Sequence, residues 1–247
     1  RRVGRPVVGC PRMSAVLVVG ATVVGFVVGW ALDPVITRVP LRQPVRGPAV
    51  HDESAGDHTP TRRARRFLVA LACGALFGGT AARFEDSWAL PAYIVLAGAL
   101  VVLAAIDLEH FLLPNRIVYP LAVATTSLLA LGALGDDQGD AWVRALLAGL
   151  VAFGAFLVLH LISPRSMGFG DVKLSFTLGL ALGWIGWGEV FLGLFLGFLY
   201  GAVIGVLLIA TRLRAKSQPV PFGPFLAAGT LTAILVGSSI ISWYRGS

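Results

Sequence analysis

Residues 88–115 read WALPAYIVLAGALVVLAAIDLEHFLLPN. No charged side chain occurs from Trp88 to Ile106, and the run closes on Asp107 and Glu109 before Pro114-Asn115 breaks it. Its length matches the roughly 20 apolar residues that a helix needs to cross a bilayer. In hydrocarbon every backbone N–H and C=O must be bonded within the segment, so the run predicts a membrane-spanning helix whatever its individual propensities. The fold then turns on how many such runs the chain holds.

Working outward, seven more appear: near Met13–Leu32, Phe67–Ala82, Ile117–Leu134, Trp142–Ile162, Val172–Trp187, Val190–Ala210 and Phe225–Trp243. The runs Phe67–Ala82 and Val172–Trp187 are short for a span, which predicts tilting, shielding by neighbours or partial re-entry. The expected fold is all-α, a polytopic integral membrane protein of about eight transmembrane helices. Composition agrees: of 247 residues 56% are hydrophobic and 13% charged, where a soluble domain has roughly 25% charged. A soluble globular enzyme is excluded, and the connections leave no room for a large aqueous domain.

The net charge of +7 is uneven along the chain. One set of loops carries Arg38, Arg42, Arg46, the cluster Arg62-Arg63-Ala64-Arg65-Arg66, Arg116, Arg165, Lys173, Arg212, Arg214 and Lys216. The alternate set carries Arg83, Arg144 and Arg245 beside Glu85, Asp86, Asp136, Asp137, Asp140 and Glu189. The basic set is therefore cytoplasmic and both termini face out, so the surplus charge records topology and no nucleic-acid partner is called for. The tail before Met13 runs against this, with Arg1, Arg2, Arg5 and Arg12, and residues 1–12 are expected to be an upstream extension of the native product. The expected organisation is that tail, a first helix with a basic loop over 13–66, and a membrane domain over 67–247. The loop from Val39 to Arg66 reads as solvated and largely disordered, its arginine cluster as a topological anchor. Cys10 and Cys73 are far apart, and no His or Cys pair has ligand spacing, so no metal site is expected.

Two carboxylates stand out, because an ionisable residue bordering a transmembrane run is a functional candidate by default. Asp107 ends the third run, and Asp171 closes Met167-Gly168-Phe169-Gly170-Asp171 and opens the sixth. Two complete spans lie between them, so the chain returns to the same face and both aspartates sit there at similar depth. Carboxylates brought close in a poorly solvated place hold one proton between them. The ionised member then takes a proton from water while the protonated member polarises an amide carbonyl, with no metal or cofactor. Gly168 and Gly170, flanking Phe169, let the backbone bend and approach a peptide. Two readings stay open on the residues alone: this catalytic pair, or two helix-end carboxylates with Asp171 as an N-cap.

Three ordered blocks add a resemblance. Ile106-Asp107-Leu108-Glu109 with Leu113-Pro114-Asn115, Gly168-Phe169-Gly170-Asp171-Val172-Lys173-Leu174, and Val220-Pro221-Phe222-Gly223-Pro224-Phe225-Leu226-Ala227-Ala228-Gly229 together resemble the type IV prepilin peptidases, membrane aspartic proteases of the Gly-X-Gly-Asp class. The likeness covers about Phe67 to Trp243. It implies that Asp107 and Asp171 are the catalytic pair of an aspartic endopeptidase. That enzyme cuts the leader from prepilin or pseudopilin precursors at the cytoplasmic face of the inner membrane. Gly29-Trp30-Ala31-Leu32-Asp33-Pro34-Val35-Ile36-Thr37-Arg38 is more weakly similar to the start of bifunctional members, which also N-methylate their product. Here Asp33 replaces the pattern's Asn, Pro34 follows it, and the next loop lacks paired cysteines, which argues against methylation and against zinc there.

Around the pair, Gly168, Phe169, Gly170, Lys173 and Glu109 are the candidate substrate-binding or site-shaping residues. Lys173 either favours the ionised form of Asp171 or is a topology charge. Glu109, Asp33, Asp52, Glu53 and Asp57 are candidates to attract a basic leader, with solvated charge as the plainer reading. Pro221, Gly223 and Pro224 shape the start of the eighth helix and, by the resemblance, line the site without a defined chemical role. Gly193, Gly197, Gly201 and Gly205, like Gly179 and Gly183, recur every four residues, which predicts close helix packing within the chain, with homodimerisation as the alternative. The expected partners are the precursor and the lipid bilayer. The competing function is a non-catalytic membrane assembly or transport protein on the same scaffold.

Overall fold

A computed structural model describes residues 11–38, 60–164, 167–211, 221–244 and 246. The expectations for the tail before residue 11 and for the loop from 39 to 59 fall outside these residues. The described chain forms α1 (Pro11–Arg38), α2 (Pro60–Arg83), α3 (Leu90–His110), α4 (Asn115–Gly135), α5 (Gly139–Ile162), α6 (Phe169–Ile185), α7 (Trp187–Ala210) and α8 (Gly223–Tyr244). Seven of them are long and apolar enough to cross a membrane, and the eighth, α6, is 17 residues long. The chain is a multi-pass, all-helical membrane protein.

Two helix ends differ from the sequence reading. The arginine cluster expected in a loop lies in the first turns of α2, which starts at Pro60. Proline suits the first turn, where its missing N–H has no partner to lose, and Arg and Ala are good helix formers, so the helix extends past the apolar run. α1 also continues past its apolar run, through Pro34 to Arg38, six residues beyond Leu32.

The helices pair as antiparallel hairpins. The most extensive contacts are α1 with α2, α5 with α6 and α7 with α8. Small residues set these approaches, as expected where apolar burial gives little drive in lipid. A Cβ at Gly179 would stand 2.6 Å from that of Ala152, and one at Gly193 would stand 2.7 Å from Leu182 and 3.2 Å from Ala233. At Gly229 it would run into the Gly197 backbone. The regularly spaced glycines of α6 and those of α7 at 193, 197 and 201 thus face neighbouring helices of the same chain, while Gly205 meets open space.

The short sixth run is explained by its place in the bundle. Twelve of the 17 residues of α6 are buried, whereas only 11% of the apolar window of α1 is. A helix apolar on all sides belongs inside, and one shielded by neighbours need not match the bilayer thickness itself. Around α6, both α4 and α8 pack against it and against α3. This sets α3 and α6 across from one another, with their site-bearing ends at the same end of the bundle.

Candidate active site

Asp107 lies in the last turn of α3, where Phe111, at φ 54°, caps the helix in the left-handed region and donates its N–H to the Asp107 carbonyl. The three residues that follow, Leu112 to Pro114, reverse the chain into α4. Asp171 lies in the first turn of α6. The helix begins earlier than the apolar run, so Gly168 is the N-cap and Asp171 is not, contrary to the capping alternative. Instead the Gly168 backbone N–H is directed at the Asp171 carboxylate, the backward half of a capping box.

Both aspartates are buried, at 5% and 6% exposure, and the charge of Asp107 reaches Asp171. They are the pair that the parity of the spans predicts: α4 and α5, each long enough to cross, separate them in sequence. Their surroundings differ. Asp107 Oδ2 accepts a hydrogen bond of 3.1 Å from the backbone N–H of Gly223, the first residue of α8. Asp171 Oδ1 has no hydrogen-bond partner, the one carboxylate oxygen in that state among the buried side-chain atoms of the described residues. A buried polar atom without a partner is costly, and the hydroxyls of Thr125, Thr177 and Thr230 share that state.

Gly223 has a chemical role that the sequence reading did not give it. A Cβ there would stand 2.7 Å from Asp107 Oδ2, so only glycine lets the start of α8 reach the carboxylate. Leu113 is a second residue that sequence reasoning missed. A Cβ on Gly170 would approach its Cβ to 2.8 Å, and one on Gly223 would lie 3.5 Å from its Cδ2. Leu113 therefore fills the space between the starts of α6 and α8 and fixes their spacing. The signal was present in part: Gly223 sits between Phe222 and Pro224 at a helix start, and Leu113 stands in the Leu113-Pro114-Asn115 block, which gave it no role of its own.

The other predicted residues divide. Lys173 does not pair with Asp171. Its Nζ donates to Asn115 Oδ1 at 3.0 Å and sits 4.8 Å from the ring centre of Phe169 and 5.0 Å from that of Tyr119, cation–π distances that tie the start of α6 to the start of α4. Phe169, half-exposed beside the pair, is flanked on its other side by the His160 ring at 5.4 Å. His160 in turn holds the turn before α6 through Nδ1, 2.9 Å from the Met167 carbonyl oxygen. Glu109 forms an ion pair with Arg65 at 2.7 Å, joining α2 to the end of α3 at the rim of the site. Gly168 lies against Asp171 through its N–H, whereas Gly170 packs against Leu113.

Residues 94–209 match the type IV leader peptidase family, a segment that contains both aspartates and excludes Gly223. The chain is 36% identical over 182 residues to the prepilin leader peptidase/N-methyltransferase of Aeromonas hydrophila, covering 73% of this chain and 61% of that protein. With the protein of the same name from Pseudomonas aeruginosa it shares 34% over 184 residues, 72% of this chain and 60% of that one. The Bacillus subtilis counterpart is 34% identical over 174 residues, 70% of this chain and 67% of that protein. The chain thus spans about three-fifths of the length of the first two relatives. No solved structure gives a significant match. Three separate sequence blocks converge on two buried aspartates, and the likeness to curated relatives runs over most of the chain: it belongs to the type IV leader peptidase family.

Proposed function

We propose that the protein is an aspartic endopeptidase that removes the leader from type IV prepilin or pseudopilin precursors, with Asp107 and Asp171 as its catalytic pair. The observation that carries this reading is the meeting of two buried carboxylates at one end of the bundle, one bonded to Gly223 and the other keeping an oxygen without a partner. With one proton shared between them, the ionised carboxylate takes a proton from water and the resulting hydroxide attacks the scissile carbonyl carbon. The protonated carboxyl gives its proton to the carbonyl oxygen. The tetrahedral diol then collapses: one hydroxyl returns its proton to the carboxylate that had given its own, the C–N bond breaks, and the leaving amine takes the proton that came from water. The unpartnered Oδ1 of Asp171 is suited to hold that water, and the exposed Gly168 leaves the backbone beside Asp171 without a side chain where a peptide approaches.

The orientation follows from charge. Arg65, Arg66, Arg116 and Lys173 lie at the site's end of the bundle, and Glu85, Asp86, Asp136, Asp137 and Asp140 at the other, which supports a site at the cytoplasmic face of the inner membrane. The methyltransferase half of the relatives' names is not carried over, because Asp33, Pro34 and the cysteine-free loop depart from that pattern.

The test is to co-express the chain with a prepilin precursor and compare precursor size for the wild type, Asp107→Asn and Asp171→Asn. Cleavage by the wild type and its loss in both variants, with the variants present in the membrane at normal level, is the expected outcome. Equal processing by the variants would remove the pair from the mechanism.

A further inference from the structure

Resting on that peptidase reading, we propose that a groove between α2, α3 and α8 seats an apolar helical segment of the protein substrate and so sets which peptide bond meets the aspartates. The groove measures about 270 Å³ and is almost entirely apolar. Its floor is built of alanines from three helices, among them Ala72, Ala104 and Ala228, and its rim carries Leu68 and Leu108, which are 63% and 57% exposed. In lipid, helices associate where small residues let backbones come close, because burying apolar surface there gains little. A trough of this volume is too small for a whole helix and fits the ridge of side chains along one helix face.

Its position points to the occupant. On α3 the groove runs from Leu100 to Leu108, about 12 Å at 1.5 Å per residue, and stops beside Asp107. On α8 it stops at Pro224, the neighbour of Gly223, whose N–H holds Asp107. The groove is thus continuous with the candidate active site at one end and extends into the apolar part of the bundle at the other. A helix lying in it delivers the residue at its site-facing end to the carboxylates at a fixed height. An acyl chain fills apolar space equally well, but gains nothing from that register.

The test fills the floor with Ala228→Phe and, separately, Ala104→Phe, with Val123→Phe on the exposed face of α4 as the control. Each is assayed on a full-length prepilin in the membrane and on a synthetic peptide carrying its leader and first mature residues without the apolar helix. The expected result is a loss of at least tenfold in kcat/KM on the full-length precursor, carried by KM, with peptide cleavage and the α4 control as in the wild type. Unchanged cleavage of both substrates overturns the groove while leaving the peptidase reading intact. Equal loss on both substrates by folded protein overturns it too, since the floor is then merely structural. Wild-type protein that cuts neither substrate removes the peptidase reading and this proposal with it. A photoreactive residue at position 228 in the Asp171→Asn background gives a second readout: crosslinks to the precursor's apolar segment support the seat, and crosslinks to lipid alone overturn it.

Discussion

The two ends of the bundle treat their polar groups in opposite ways. Away from the aspartates, Arg144 reaches across from α5 and donates to the carbonyls of Gly183 and Trp184 at 2.7 and 2.6 Å, closing the C-terminus of α6. Tyr93 donates to the Ala181 carbonyl at 2.8 Å, Arg83 to Ser238 at 2.8 Å, and Asp136 accepts from Ser87 at 2.6 Å and from the Trp88 N–H. These groups satisfy one another and hold helix ends together. At the aspartate end Asp171 keeps a buried oxygen without a partner, and Asp107 leans on a glycine where an added methyl would press on its carboxylate. One end is built as a clasp, the other as an incomplete site. α6 runs between them, so a single helix separates the mutually bonded groups from the candidate site.

Substitutions can break that contrast. Under the proposed mechanism Gly223→Ala should have the largest effect on turnover: the added methyl collides with Asp107 Oδ2 itself, and displacement of a reacting group by about 1 Å costs on the order of 10²-fold in rate. Because the colliding atom is the end of a side chain, thermal unfolding in detergent should barely change, and a large fall in melting temperature with normal turnover would reverse the assignment. Arg144→Ala should do the opposite. Uncovering the α6 carbonyls should cost about 1–3 kcal/mol of stability, read as a lower melting temperature, while cleavage per folded molecule stays near wild type. Loss of activity without loss of stability would mean that the two ends are coupled. Ser87→Ala, which removes the hydrogen bond to Asp136 and the one that Ser87 Oγ accepts from the Ala89 N–H, should cost on the order of 1 kcal/mol and leave cleavage untouched; it calibrates the smaller end of the scale.

Much of this was legible in the sequence because it depends on local quantities. A span is recognised by the length of an apolar run, and counting α4 and α5 between Asp107 and Asp171 puts both on one face without any contact being known. The helix ends were less legible: α2 runs back through its arginines and α6 starts at Phe169, because propensity and capping act beyond the apolar stretch. Gly223 and Leu113 were hidden for another reason. Gly223 meets Asp107 across 116 residues of chain, and no periodicity within α8 announces that meeting. Lys173 shows the same limit, since its nearness to Asp171 in sequence left two readings open and the fold turns it to Asn115.

The central position of α6 also bears on how the protein lives in membranes of different thickness. Peripheral helices tilt or shift when lipid chains lengthen, but α6 is enclosed by protein, held at its C-terminus by Arg144, and joined to α7 through Gly186 alone. The height of Asp171 relative to Asp107 is therefore set by side-chain packing and not by the acyl chains around it. A change of lipid composition would move the bundle as a body and leave the spacing of its two carboxylates as it was.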